Sequence, residues 1–305
     1  MSSDLESLLM RLVTYTDDEG TRPGLRRGGD IFPLGPAGTT VSDLPLGDPD
    51  ALERLLAAAA DAPGLPVDSV LLVAPLRPTG TVYCVGWNYL DHFAEGQAAG
   101  GHSVPEMPSN PTFFFRAPAT VVGPRADVPI DTALSEQLDY EAEIAVVIGR
   151  GGRNIPEERA WEHVLGLTLA DDVTVRDIQR RHGNQWSKGK SIDGTCPLGP
   201  EIVTLDELGD LAAIELTSTV NGEVRQRATL DQMAFSIPRI LSELSAGMTL
   251  RPGDVVLTGT PSGVGYARTP PAFLTAGDEV VVAATGLGEL RNRVVEADLS
   301  SYVAG

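Results

Sequence analysis

Asp139-Tyr-Glu-Ala-Glu143 runs directly into the apolar stretch Ile144-Ala-Val-Val-Ile148. In a strand, alternate side chains share a face, so Asp139, Glu141 and Glu143 project together at the mouth of that strand. Carboxylates crowded at this spacing repel one another and are relieved by protonation, by separation or by a cation. Clustered oxygen ligands suit Mg²⁺ or Mn²⁺ better than zinc. On spacing alone, a solvated strand opening with some acidic residues explains the same pattern. Asp172, just past the apolar run 164–170, adds a carboxylate able to complete a metal site with Glu141 and Glu143. Either Asp171 or Asp172 would equally serve as a helix N-cap.

Two further groups bear chemistry. The segment 86–96 reads as a short helix between glycines, and His92 and Glu95, three apart, share one face of it. A neutral imidazole beside a carboxylate activates water, the histidine taking the proton while the acid orients it. An ordinary surface His–Glu pair has the same spacing. The segment 97–110, rich in Gly and Pro, is of a kind that closes over a site. Cations gather in 176–190, where Arg176, Arg180, Arg181, Lys188 and Lys190 face the single acid Asp177. Lys188 and Lys190 are the only lysines of the chain, and a lysine pKa shifts readily on burial where an arginine's does not. Gly259-Thr-Pro-Ser-Gly-Val-Gly265, after a strand at 255–258, forms a tight loop with free amides, a pattern that plain turns also give.

A competing pattern overlaps the acids. The strand 144–148, Gly149-Arg-Gly151, a helix near Glu157 and Asp171 about 20 residues beyond the glycines imitate a dinucleotide-binding βαβ unit, hence an NAD-dependent oxidoreductase. Against it, Asn154 stands at the third glycine position, Pro156 follows, and the first strand opens with acids.

The elements that must carry these groups are short. With 305 residues, 42% of them hydrophobic, 33 Gly and 23 Pro, the chain reads as a turn-rich globular protein of many short strands. Residues 1–75 form a small N-terminal α/β unit, with a strand at 12–15, a turn at 17–20 and a helix over 51–60 capped by Asp50. Residues 76–305 form a larger, mainly β unit with helices at 157–164, 173–181 and 236–245. A net charge of −19 argues against nucleic acid and anionic membranes as partners. No apolar run approaches a membrane span. The start lacks the pattern of a signal peptide, so the expected location is cytoplasmic, with Cys84 and Cys196 reduced.

Taken in order, the motifs resemble the fumarylacetoacetate hydrolase superfamily across about residues 80–300. They are Tyr83-Cys-Val-Gly-Trp-Asn-Tyr-Leu-Asp-His92 with Glu95, Phe113-Phe-Phe-Arg-Ala-Pro118, Asp139-Tyr-Glu-Ala-Glu143 and Asp171-Asp-Val-Thr-Val-Arg-Asp177. Gln185-Trp-Ser-Lys-Gly-Lys-Ser191, Cys196-Pro-Leu-Gly-Pro200, Val220-Asn-Gly-Glu-Val-Arg-Gln226 and Thr258-Gly-Thr-Pro-Ser-Gly-Val-Gly265 follow. The resemblance implies an α+β, mainly β fold, a compact array of long mixed strands with a small N-terminal domain, and a homodimer. It implies Glu141, Glu143 and Asp172 as ligands of Mg²⁺ or Mn²⁺, His92 and Glu95 as a water-activating pair on a lid, and Lys190 as the active-site lysine. Gln179 and Thr260 match pocket positions. Arg116, where a lysine is common, is expected near the substrate tail with Leu90. Trp87 and Gly194-Thr195 are further departures.

The implied substrate is a small anionic 2-oxo acid. The implied reaction is hydrolysis of a carbon–carbon bond in a 2,4-dioxo acid of the acylpyruvate or fumarylacetoacetate type, through a stabilised enolate. The alternatives are decarboxylation of oxaloacetate and keto–enol isomerisation of a 5-carboxymethyl-2-hydroxymuconate or 2-hydroxyhepta-2,4-diene-1,7-dioate type acid, since both need only the enolate. A non-catalytic metabolite-binding member of the family is the remaining reading.

Overall fold

The run Ala142–Ile148 is apolar on both faces, so as a strand it has to be covered on both sides. In the computed structural model, which describes residues 10–59, 62–77, 81–100, 104–183 and 185–298, every side chain of this strand is buried. Alternation sends them to different cores. Ile144, Val146 and Ile148 pack with a second sheet and with the helix Ile237–Ser245. Ala145 and Val147 pack with Leu12, Leu25, Leu52 and Leu56 of the N-terminal part. Full burial contributes roughly 1.5–3 kcal/mol for each isoleucine, which holds the acid-bearing end of the strand in place from both sides.

Ala142–Ile148 lies antiparallel to Val164–Asp171 on one edge and to Val255–Leu257 on the other. Val255–Leu257 runs parallel to Val82–Gly86, which pairs antiparallel with Thr112–Arg116. In the other direction the sheet passes through Cys196–Val203 to Arg11–Asp17 and the remaining N-terminal strands, twelve strands in all. A five-stranded sheet containing Glu215–Val220, Glu279–Ala284 and Gly288–Glu296 shares its core. The architecture is α+β and mainly β, with few and short helices. The boundary expected near residue 75 follows the strand Leu71–Val73. Strands on both sides of it belong to one sheet.

Several local expectations change. The antiparallel pairing of Ala142–Ile148 with Val164–Asp171 removes the dinucleotide-binding reading, because a βαβ unit needs those two strands parallel. The segment between them is a 3₁₀ run, Glu157–His163, rather than an α-helix. The first helix, Pro49–Ala59, is capped by Asp48, whose Oδ1 accepts from Ala51 N at 3.0 Å, not by Asp50; Ala60 lies outside the described residues, as do 101–103 within the expected closing segment. The helix Ile237–Ser245 starts as its sequence predicts, with Ser236 Oγ accepting from Arg239 N at 3.2 Å. Among the described residues no helix is long and apolar enough to cross a membrane. Cys84 and Cys196 are free thiols, both buried.

Candidate active site

Sheet register brings the acids together. Ala142 pairs with Asp171, so the residues just beyond this pair, Glu141 and Asp172, meet at the same end of the sheet. Asp172 N donates to Glu141 O at 2.8 Å, and Glu141 N donates to Asp171 Oδ1 at 2.8 Å. Carboxylate oxygens of Glu141, Glu143 and Asp172 all lie within 4.8 Å of one another, and all three residues are buried. Asp139 is not the third member that alternation predicts. The strand breaks before Ala142, and Leu138–Asp139 pairs instead with Thr174–Val175. Asp139 there accepts from Gly265 N, Tyr266 N and Arg176 Nε at 2.7–3.1 Å. Neither Asp171 nor Asp172 caps the helix Arg176–Arg181, whose N-cap residue, Val175, has no side-chain cap.

Three buried cations answer the acids. Lys190 Nζ lies 2.5 Å from both Glu141 Oε2 and Asp172 Oδ2. Arg176 Nη2 lies 2.6 Å from Glu141 Oε1, an ion pair by distance although its angle makes no hydrogen bond. Arg116 pairs with Asp172 and donates to Val173 O and to Thr195 O and Oγ1 at 2.6–3.1 Å. Burial pushes the carboxyl of Glu141 up, but Lys190 and Arg176 outweigh it and bring the group down to about 2. Among the described residues Glu143 forms no salt bridge. Burial and the like charges of Asp172 and Glu141 hold it well above the usual carboxylate range, and the charge of Lys190 only partly offsets them. Burial likewise raises Asp171 to about 7, while Lys190 is held above its ordinary value by Asp172 and Glu141 against the cost of its own burial.

This charge balance tests the fit of a metal. Five buried carboxylates (Asp139, Glu141, Glu143, Asp171 and Asp172) face three buried cations, which leaves the cluster two positive charges short. Two protons or one dication close that gap. The three acids that converge offer only oxygen, the donor set of a hard divalent cation. The residues fit Mg²⁺ or Mn²⁺.

His92 and Glu95 are carried by one helix. Asn88 anchors the start of the helix Leu90–Ala98, its Oδ1 accepting from Phe235 N at 2.7 Å and its Nδ2 donating to Thr258 O at 2.7 Å. His92 Nδ1 lies 2.9 Å from Glu95 Oε1, and Glu95 Oε2 accepts from Gly263 N at 2.8 Å. The glycine loop is therefore more than a turn. Gly259 N holds Glu143 Oε2 at 2.6 Å, Gly263 N holds Glu95, and Gly265 N holds Asp139. Gly263 requires its residue type, because φ is +109° and an added Cβ would lie 2.0 Å from Arg225 O. Trp87, just ahead of Asn88, also has a positive φ, +58°, a conformation that is costly outside glycine and common near functional sites.

A cavity of about 610 Å³ joins these groups. Glu141, Glu143, Lys190 and His92 line one part of it, and Gln179 and Thr260 line it as their motifs predict. Arg116 is not on its wall. It is fully buried behind Asp172, so the expectation of contact with a substrate tail gives way to support of an acid. Leu90 lies 60% exposed on the helix Leu90–Ala98. Arg176, Arg180 and Tyr266 line the cavity without having been singled out as site residues. The cation cluster at 176–190 was the signal for the two arginines. Tyr266 had none, being carried in by the glycine loop. Trp87, Phe114 and Trp186 form an aromatic wall, with Trp186 at 4.6 Å from Trp87 and 5.6 Å from Phe114 between ring centroids.

An oxygen-only acid triad beside a buried lysine, with a His–Glu pair on a neighbouring helix, is an arrangement able to hold a divalent metal next to a titratable group. The family model described as "Fumarylacetoacetate (FAA) hydrolase C-terminal" matches residues 81–295, and the chain belongs to the fumarylacetoacetate hydrolase family. It is 42% identical over 230 residues to the oxaloacetate tautomerase YisK of Bacillus subtilis, covering 75% of this chain and 74% of that protein. Among solved structures it is similar to the fumarylacetoacetate hydrolase of the psychrophile Exiguobacterium antarcticum, with a TM-score of 0.81 and 38% identity over 94% of this chain and all of the other. It is also similar to the maleylpyruvate hydrolase of Sphingobium sp. SYK-6 in complex with manganese(II) and pyruvate, with a TM-score of 0.77 and 26% identity over 95% of this chain and all of the other.

Proposed function

We propose that the chain is a divalent-metal-dependent enzyme that interconverts the keto and enol forms of a small 2-oxo acid of the oxaloacetate kind. The observation that carries this reading is one cavity lined by Glu141, Glu143, Lys190 and His92, with the buried carboxylate of Asp172 within 4.8 Å of the other two acids. Mg²⁺ or Mn²⁺ held by Glu141, Glu143 and Asp172 would draw charge from the carbonyl and lower the cost of the enolate. With Nδ1–H of His92 donated to Glu95, Nε2 is left as the acceptor. His92 then takes a proton from the carbon beside the carbonyl and, as the imidazolium, gives it to the enolate oxygen, which leaves the enol and restores the neutral base. Lys190 adds positive charge next to that oxygen. Glu95, fixed by Gly263 N, keeps the imidazole oriented and stabilises it once protonated. The 42% identity to an oxaloacetate tautomerase supports the substrate class. The same reading includes the cytoplasmic location and the homodimer.

Hydrolysis of a carbon–carbon bond is the second reading. It is favoured by the same His92–Glu95 pair, which suits activation of water, and by the likeness to a maleylpyruvate hydrolase. NMR of the Mg²⁺-loaded protein with oxaloacetate and with acylpyruvates separates the two. Accelerated exchange of the C3 protons of oxaloacetate for deuterium is the expected result. Pyruvate and a carboxylic acid released from acylpyruvates, without accelerated exchange, would replace the tautomerase reading by hydrolysis. Neither reaction, with binding intact, would leave a non-catalytic binder.

A further inference from the structure

The arginines of the cavity differ in one respect. Arg176 is committed, its guanidinium lying against Asp139 and Glu141 with Nη1 on Gln179 Oε1 at 3.3 Å. Arg180, one helical turn later, also lines the cavity but is exposed, which puts it at the cavity's mouth. Among the described residues no carboxylate lies within 4 Å of its guanidinium, whereas the adjacent Arg181 has Asp177 at 3.5 Å. Burial and the charge of Arg176 lower its pKa. Its direction is nevertheless set. The Tyr266 ring carries Arg176 at 4.4 Å and Arg180 at 4.7 Å from its centroid, so a fixed aromatic platform holds the second guanidinium beside the first. A guanidinium held in place, facing a cavity and lacking an anion, is suited to bind a carboxylate in a two-pronged contact.

We propose that Arg180, positioned by Tyr266, is a specificity residue that binds the second carboxylate of a 2-oxo dicarboxylic acid whose 2-oxo acid end lies at Glu141, Glu143 and Asp172. The acid triad handles the end common to all 2-oxo acids, and Arg180 reads the other end. This rests on the proposed reading of the site as one for small 2-oxo acids, but not on which reaction follows.

The test compares four-carbon acids that differ in the distal charge. Binding to the Mg²⁺-loaded protein is measured by calorimetric titration with 2-oxobutanoate, which has one carboxylate, and with 3,3-difluorooxaloacetate, which has two and cannot enolise. Arg180→Gln is expected to weaken difluorooxaloacetate binding about tenfold, the scale of one charge-assisted hydrogen bond, and to leave 2-oxobutanoate unchanged. Arg180→Lys should recover part of the loss, and Tyr266→Leu should show the same selective loss more weakly. In turnover of oxaloacetate, Arg180→Gln should raise KM with kcat nearly constant. Equal losses for both acids, or no loss for the dicarboxylate, would overturn the assignment, as would a wild-type protein that binds neither acid. Selective loss of binding in a protein that does not accelerate C3 exchange would uphold Arg180 while removing the tautomerase reading.

Discussion

Arg116 and Asp172 are paired with neither side chain exposed to water, and that pairing separates structural from chemical roles within the site. Removing one partner of a buried pair strands the other charge. Arg116→Ala is therefore expected to destabilise the protein by about 3–5 kcal/mol, read as a lower urea midpoint with an unchanged slope. A residue that only touched a substrate tail would raise KM and leave stability intact. His92 has the opposite character, since among the described residues its side chain pairs with Glu95, on its own helix. His92→Ala should lower turnover by roughly 10²–10⁴-fold, the usual contribution of general-base assistance, with metal affinity and the unfolding midpoint nearly unchanged. A loss of metal binding in that variant would place the histidine among the ligands.

At the scale of elements, two short helices set the far wall. Ser187–Lys190 packs so closely on Arg176–Arg181 that a Cβ on Gly189 would lie 2.4 Å from Gln179 N and 2.5 Å from its Cα. Gly189→Ala forces backbone against backbone, an overpacking that costs about 1–3 kcal/mol, and it moves Lys190 and Gln179 together. The expected outcome is a fall in both stability and kcat/KM without any change to a chemical group, measured by thermal unfolding and steady-state kinetics. Unchanged kinetics would mean that the position of Lys190 does not matter. These elements also show what was legible beforehand. Glu141, Glu143, Asp172 and the His92–Glu95 pair were readable because local periodicity and motif order determine where they point. Alternation misplaces Asp139 because the break before Ala142 depends on pairing with Thr174–Val175, more than thirty residues away. The role of Arg116 depends on an acid 56 positions distant. The amides of Gly259, Gly263 and Gly265 looked like ordinary turn groups until the sheet set each beside an acid.

The whole molecule puts both thiols and the acid cluster in its interior. Burial pushes the Cys196 thiol up to about 12 and that of Cys84 well above its ordinary value, so neither ionises near neutral pH in the folded state. A thiol reagent at pH 8 should label no cysteine in the native protein and both after unfolding in urea. Rapid labelling of the native protein would show that the core opens readily. The metal centre rests on the charge balance of that interior, a cluster two positive charges short around three converging carboxylates. Glu143→Gln tests it with least disturbance, because Glu143 is held by Gly259 N and by no salt bridge, so its loss strands no buried cation. Titration with Mn²⁺ followed by electron paramagnetic resonance should show one ion bound per wild-type chain. Glu143→Gln should weaken that binding by roughly 10–100-fold or more, the loss that even outer partners of a metal site bring, while the unfolding midpoint stays close to wild type. Equal Mn²⁺ affinity in the two proteins would contradict the assignment of the triad as the metal centre.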